Sequence, residues 1–145
     1  MATAARAFAA TAIFAGLAVG AASTAWADPP TMNGNYTETS TSPSGRSTTT
    51  DWTVQACSDG SDGCIYVKAG AGGGQAHLID GQWVMDTMGN LLCPDGTFLQ
   101  YVTNAHITWD PNTLAGTSQI TYMVPACGQP AGYTQTNQIS FKQSS

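Results

Sequence analysis

The sequence predicts an all-β domain: an antiparallel meander of about eight or nine strands, folded as a closed or half-closed, lipocalin-like barrel or as a sandwich, with two disulfides. Three observations carry that expectation. Apolar and polar residues alternate with a period of two in successive stretches, the mark of half-buried strands. Turn signals recur about every ten residues, with Asp-Gly pairs at Asp59-Gly60, Asp62-Gly63, Asp80-Gly81 and Asp95-Gly96. After residue 27, no stretch combines helical apolar spacing with good helix formers.

The chain opens with the pattern of a secretory signal over residues 1–27. Arg6 is the only charge there, an apolar run spans Ala7 to Ala22, and Ala25-Trp26-Ala27 supplies a small-residue cleavage site. The run is short for a membrane span and contains glycine. No later run is long enough to cross a bilayer, so the expected product is secreted, with one domain over residues 28–145.

Asp28–Asn33 reads as a Pro-containing loose lead-in. Gly34–Ser42 is Thr-rich and extended, with Tyr36 its inward anchor, and Pro43-Ser44-Gly45 turns the chain. Ser47–Cys57 alternates, with Trp52, Val54 and Ala56 on one face and Asp51, Thr53 and Gln55 on the other. Cys64–Ala69 repeats the pattern, Ile65 and Val67 in, Tyr66 and Lys68 out. Gly70–Gly74 reads as a flexible link.

The stretch Ala76–Gly96 organises the rest. Asp80-Gly81 is a type I′ turn between apolar runs, the strongest short-range hairpin signal. Trp83, Met85 and Thr87 share a face on the second strand, and Cys93 closes the stretch before a Pro94-Asp95-Gly96 turn. Thr97–Thr103 is apolar on both faces in places, which predicts a strand covered on both sides. His106–Asp110 is a further strand with Ile107 and Trp109 aligned, ended by Pro111. Thr117–Val124 aligns Ile120 with Tyr122, Pro125–Gly132 is an irregular connection, and Thr134–Lys142 carries Ile139 and Phe141 inward.

Beyond the signal, Arg46, Lys68 and Lys142 stand against nine acidic residues, a net charge of −6. There is no basic patch, which argues against nucleic acid or an anionic membrane surface as partner. Four cysteines, an even count in an exported chain, read as two disulfides. Of three possible connectivities, Cys57–Cys64 with Cys93–Cys127 is preferred, because the first pair brackets the loop SDGSDG. The paired short spacings of a zinc site are absent.

An ordered set of residues is now in view: Trp52-Thr-Val-Gln-Ala-Cys57, Gly63-Cys64, Gly81-Gln-Trp83, Cys93-Pro-Asp-Gly96, Trp109-Asp-Pro-Asn-Thr-Leu-Ala-Gly116 and Cys127-Gly128. It resembles small exported β-proteins of mycobacteria and other actinobacteria, whose domains occur as free secreted proteins, as lipoproteins and as the extracytoplasmic part of membrane-bound Ser/Thr kinases. The resemblance covers nearly all of residues 28–145. It implies fold and cell-envelope location, and it brings no catalytic residues, because the shared motifs are cysteines, core tryptophans and turns.

The residues themselves signal little chemistry. His77 lies near Asp80 and Asp86 across the hairpin, and His106 is the other histidine, but no G-x-S-x-G elbow displays a nucleophile. Glu38 is the only glutamate, and most aspartates precede glycine in turns. Asp110 precedes Pro111, where its carboxylate starts a turn. The loop with Asp59 and Asp62 lacks the twelve-residue pattern and acidic last ligand of a calcium site. No phosphate-binding motif precedes a helix. The expectation is therefore no enzyme, no metal and no cofactor.

Two functional classes remain: an extracellular interaction or sensing module for a protein partner, and a lipocalin-like carrier of a small apolar ligand. A secreted hydrolase using a histidine ranks third. For a ligand, the sequence offers one face of the last strand. Tyr133, Gln135 and Asn137 share it with inward Ile139 and Phe141, and Trp83 and Trp109 would supply apolar walls.

Overall fold

The structure is a computed structural model that describes residues 31–70 and 72–144. The expected signal peptide, its cleavage after Ala27 and the lead-in up to Pro30 lie outside the described residues. Eight strands follow in order: β1 (Gly34–Thr41), β2 (Ser47–Ala56), β3 (Cys64–Ala69), β4 (Gly72–Ile79), β5 (Gln82–Leu92), β6 (Phe98–Trp109), β7 (Ala115–Tyr122) and β8 (Thr134–Gln143). Each pairs antiparallel with its neighbour in sequence, and β8 pairs back onto β1, so the meander closes as a barrel. The choice between barrel and sandwich is thus settled, and the described residues contain no helix.

Cross-strand partners share a face, so the registers decide which side chains turn inward. Tyr36 opposes Trp52, Val54 opposes Val67, Ala76 opposes Met85, and Trp83 opposes Trp109. These residues fill the half of the barrel that holds both ends of the described chain, called the base here. Trp52 meets Trp109 edge-on at 5.6 Å between ring centroids and Phe141 at 4.6 Å, while Trp83 stacks on Trp109 at 6.4 Å. Such aromatic pairs add about 0.5–1.5 kcal/mol each beyond the area they bury. Met32 completes the base. It is 2% exposed, and its Sδ accepts the Trp109 indole N–H at 3.1 Å. The lead-in is therefore not loose at Met32: an apolar side chain was needed beneath Trp109, and the barrel base offered it burial.

The hairpin of β4 and β5 turns at Asp80 and Gly81, both at positive φ (51° and 82°), as type I′ requires. Asp110 caps its own turn, its Oδ1 accepting the Asn112 N–H at 2.7 Å and the Thr113 N–H at 2.9 Å. Both disulfides form as expected. Cys57–Cys64 ties the β2–β3 loop at the base, and Cys93–Cys127 ties the β5–β6 hairpin tip to the β7–β8 connection at the other end.

Three expectations are corrected. Gly72–Gly74 are strand, not linker: their backbone pairs with Val67–Ala69. A glycine run satisfies a ladder as any backbone does, and composition alone does not distinguish the two uses. Thr97–Thr103 and His106–Asp110 are not two strands but parts of the single long β6, which matches a β5 that continues to Leu92. Nor is the start of β6 covered on both sides, since Phe98 is 55% and Tyr101 65% exposed. The β5–β6 hairpin outruns the neighbouring strands there, and only the β7–β8 connection, tied on by Cys93–Cys127, lies against its tip.

The two disulfide rings differ in size, 7 against 34 residues of separation. Replacing Cys57 and Cys64 by Ser is expected to lower the unfolding free energy by about 2.5 kcal/mol, and replacing Cys93 and Cys127 by about 4 kcal/mol. Urea unfolding of the two double variants checks the order. A larger loss from the short ring would contradict it.

Candidate functional site

The far half of the barrel, its mouth, is not filled. A cavity of about 270 Å³ opens there, just below the ~300–1,000 Å³ of ordinary ligand pockets. Its floor is the indole of Trp52 with Met85 and Ile107. Its wall is thin because Ala69 and Gly72, an in-register pair, put almost no side chain inside. Gly89, on the adjoining strand β5, keeps the next part of the wall bare as well. A Cβ there would stand 2.8 Å from Thr103 Oγ1, so a larger residue at that position would have to displace the Thr103 side chain.

A β-bulge shapes the rim. The β5–β6 register shifts between Gly89 and Leu91, and the Asn90 side-chain carbonyl accepts the Tyr101 N–H at 3.0 Å. Tyr101 sits at φ 56°, a conformation uncommon for non-glycine residues, and borders the cup. Beside it the β4–β5 ladder stops early. It pairs Ala76–Ile79 with Gln82–Met85, although both strands continue toward the mouth. A side-chain bond from Thr87 Oγ1 to the Gly73 carbonyl, 3.1 Å, spans the seam instead.

The polar groups of the cup are few. Glu38 on β1 faces inward, opposite Thr50 on β2 and Phe141 on β8. Among the described residues, no Lys, Arg or His lines the cavity with it. Burial pushes the Glu38 carboxyl above its ordinary value, and the Trp52 indole N–H beside it pulls it partly back. That N–H falls short of hydrogen-bond geometry, so the buried indole nitrogens of Trp52 and Trp83 both lack a partner. An orphaned buried donor costs ~1–3 kcal/mol.

The residues that the sequence offered as ligand contacts are divided by the fold. Trp83 and Trp109, each 1% exposed, belong to the packed base and not to the cup. Gln135 and Asn137 do face inward at the mouth, beside the cup, and are tied up: Gln135 Nε2 donates to Asn137 Oδ1 at 2.8 Å, and Asn137 Nδ2 to Ser40 Oγ at 3.2 Å. Tyr133 packs edge-on against Tyr122, 5.0 Å between centroids. Sequence reasoning missed Glu38, Thr50, Gly72 and Thr87, and it weighed Trp52 with the other two tryptophans as core first and ligand lining second. The signal for Glu38 was present, since two residues beyond an inward Tyr36 a strand turns inward again.

The other candidate chemistry lies on the outer wall. His106 Nδ1 and Asp86 Oδ1 are 2.8 Å apart, both half exposed or more. The cross-strand neighbours of His106 are Asp86 and Gln119, neither of which carries a hydroxyl. His77 stands apart, opposite Val84 and Cys64. In the SDGSDG loop, Asp59 accepts the Ser61 N–H at 3.0 Å and the Ser61 hydroxyl at 2.7 Å, which hold its carboxyl below the ordinary value and turn it onto its own loop. Among the described residues, no three His, Cys, Asp or Glu side chains converge as a metal site would need. No protein-family model, curated protein or solved structure matches this chain.

Glu38 gives the site a pH signature. A carboxyl whose pKa is higher folded than unfolded binds more protons in the native state, so stability falls as pH rises from 4.5 through the folded value. Glu38→Gln removes that loss. The variant is expected to melt above the wild type at neutral pH and to lose the advantage once the pH drops below the unfolded value. Thermal melts across the acid range read this directly, and an advantage that persists in acid would show a cause other than ionisation.

Proposed function

We propose that the protein is an exported, non-enzymatic binding domain that holds a small ligand in the cup at the barrel mouth. The observation that carries this reading is uneven filling. The base is packed with three tryptophans, a phenylalanine and Met32, while the mouth keeps a hollow with an apolar floor and a few converging polar groups. That is the usual form of a small-molecule site, and eight-stranded barrels have room for one such ligand. Two disulfides suit an oxidising compartment outside the cytoplasm and support the secreted, cell-envelope reading.

A second reading has its own observation. Leu92 and Phe98, a cross-strand pair at the β5–β6 tip, are exposed, as are Met123 and Val124 in the connection joined to that tip by Cys93–Cys127. Exposed apolar surface of this kind marks interaction sites. It favours an extracytoplasmic interaction or sensing module for a protein partner, and the two readings are compatible if the partner docks beside a filled cup.

Gly72 is the place to test the cup. It is not at positive φ, and a Cβ there meets only ordinary contacts, so a larger side chain can be built into the cavity. Gly72→Leu is expected to fold, to melt within a few degrees of the wild type, and to lose binding of small apolar compounds. Titration of such a library while following tryptophan emission, with Trp52 at the floor as reporter, checks it. Binding that survives Gly72→Leu unchanged would place the ligand elsewhere.

A further inference from the structure

The ligand's charge can be read from the cup, given the reading of the cup as a binding site. We infer that it takes a small organic monocation, a protonated amine on an apolar body, with the amine held against Glu38.

Among the described residues, Glu38 is the one charged side chain lining the cavity. The groups that face it from neighbouring strands are Thr50 on β2 and Phe141 on β8, and neither carries charge. The charged residues nearby in sequence, Asp51 on β2 and Lys142 on β8, occupy the opposite face of their strands from these inward positions. A carboxylate so placed has lost water and, among the described residues, gained no counter-ion. An incoming cation would supply what is missing, and an anion would add like-charge repulsion in a partly dry site.

Trp52 supports the same assignment twice. Trp52 lines the cup, and a cation that reaches an indole face is attracted by the ring quadrupole. Its N–H, buried and without a full partner, lies on the Glu38 side, where it favours the carboxylate form over the acid. A carboxylate has about four acceptor directions, so Trp52 leaves others open to an ammonium group. The rest of the lining sets the body of the ligand. Met85, Ile107 and Ala69 are apolar, and the small volume limits the body to about the size of one ring. The net negative charge beyond residue 27 also raises the local concentration of cations.

Calorimetric titration at neutral pH with benzylamine, benzyl alcohol and benzoate tests the assignment, because the three share one apolar body and differ in charge. Benzylamine is expected to bind roughly tenfold or more tightly than benzyl alcohol, as a charged hydrogen bond allows, with benzoate weakest. In Glu38→Gln, whose fold is verified by its melt, the ratio of amine to alcohol affinity falls to about one. In the nitrogen-15 spectrum, benzylamine shifts the Trp52 indole resonance and leaves that of Trp109, which is bonded to Met32, in place. Benzyl alcohol or benzoate binding as tightly as the amine, or an amine preference that survives Glu38→Gln, overturns the charge assignment and leaves the cup as a site for neutral or anionic ligands. Failure of all three to bind overturns both the assignment and the cup reading.

Discussion

Closure of β8 onto β1 is the constraint on which the rest depends. Six cross-strand pairs, from Tyr36 with Gln143 to Thr41 with Gln138, remove the last open edges of the sheet. Once the sheet is closed, each strand has one face inside and one outside, and the interior must be filled from alternate positions. Nothing in the chain can be moved by one residue without exchanging those faces. The aromatic base satisfies the demand. At the other end Ala69, Gly72 and Gly89 decline to satisfy it, and the hollow is the result.

What was legible in the sequence was local. The Asp80-Gly81 hairpin, the Asp110 turn, the short Cys57–Cys64 ring and the inward parity of Trp52, Met85, Ile107 and Ile139 each have a signal within a few residues. The cup has none. Its floor and walls come from β1 to β6, and its defining feature is absent side chains. Gly72–Gly74 wrote that absence in the same letters as a linker. Met32 escaped for a related reason: it is a single residue before the first strand, and only the closed base shows what it sits under. The exposed Phe98 and Tyr101 show the reverse limit, because apolar composition alone does not reveal whether anything covers a strand.

The polar interior at the mouth is handled in two ways. Gln135, Asn137 and Ser40 form a chain of donors and acceptors that satisfies itself, and that sector is closed to further chemistry. Glu38 and the Trp52 indole face one another without completing a bond, and that sector is left unfinished. Two neighbouring parts of one barrel end thus differ in kind: one is structural and one is available. The short β4–β5 ladder lies next to the available part, where backbone groups of Gly72–Gln75 lack the pairing that their neighbours have across that seam.

The positions of the chain ends have a practical geometry. Met32 lies under Trp109, and the Ser144 N–H is bonded to the Asn35 carbonyl, so both ends of the described chain leave the barrel at its base. The mouth lies at the opposite pole. Whatever is joined to either end, whether an anchor, a second domain or an affinity tag on a sensor chip, attaches like a stem and holds the opening away from the surface it is fixed to.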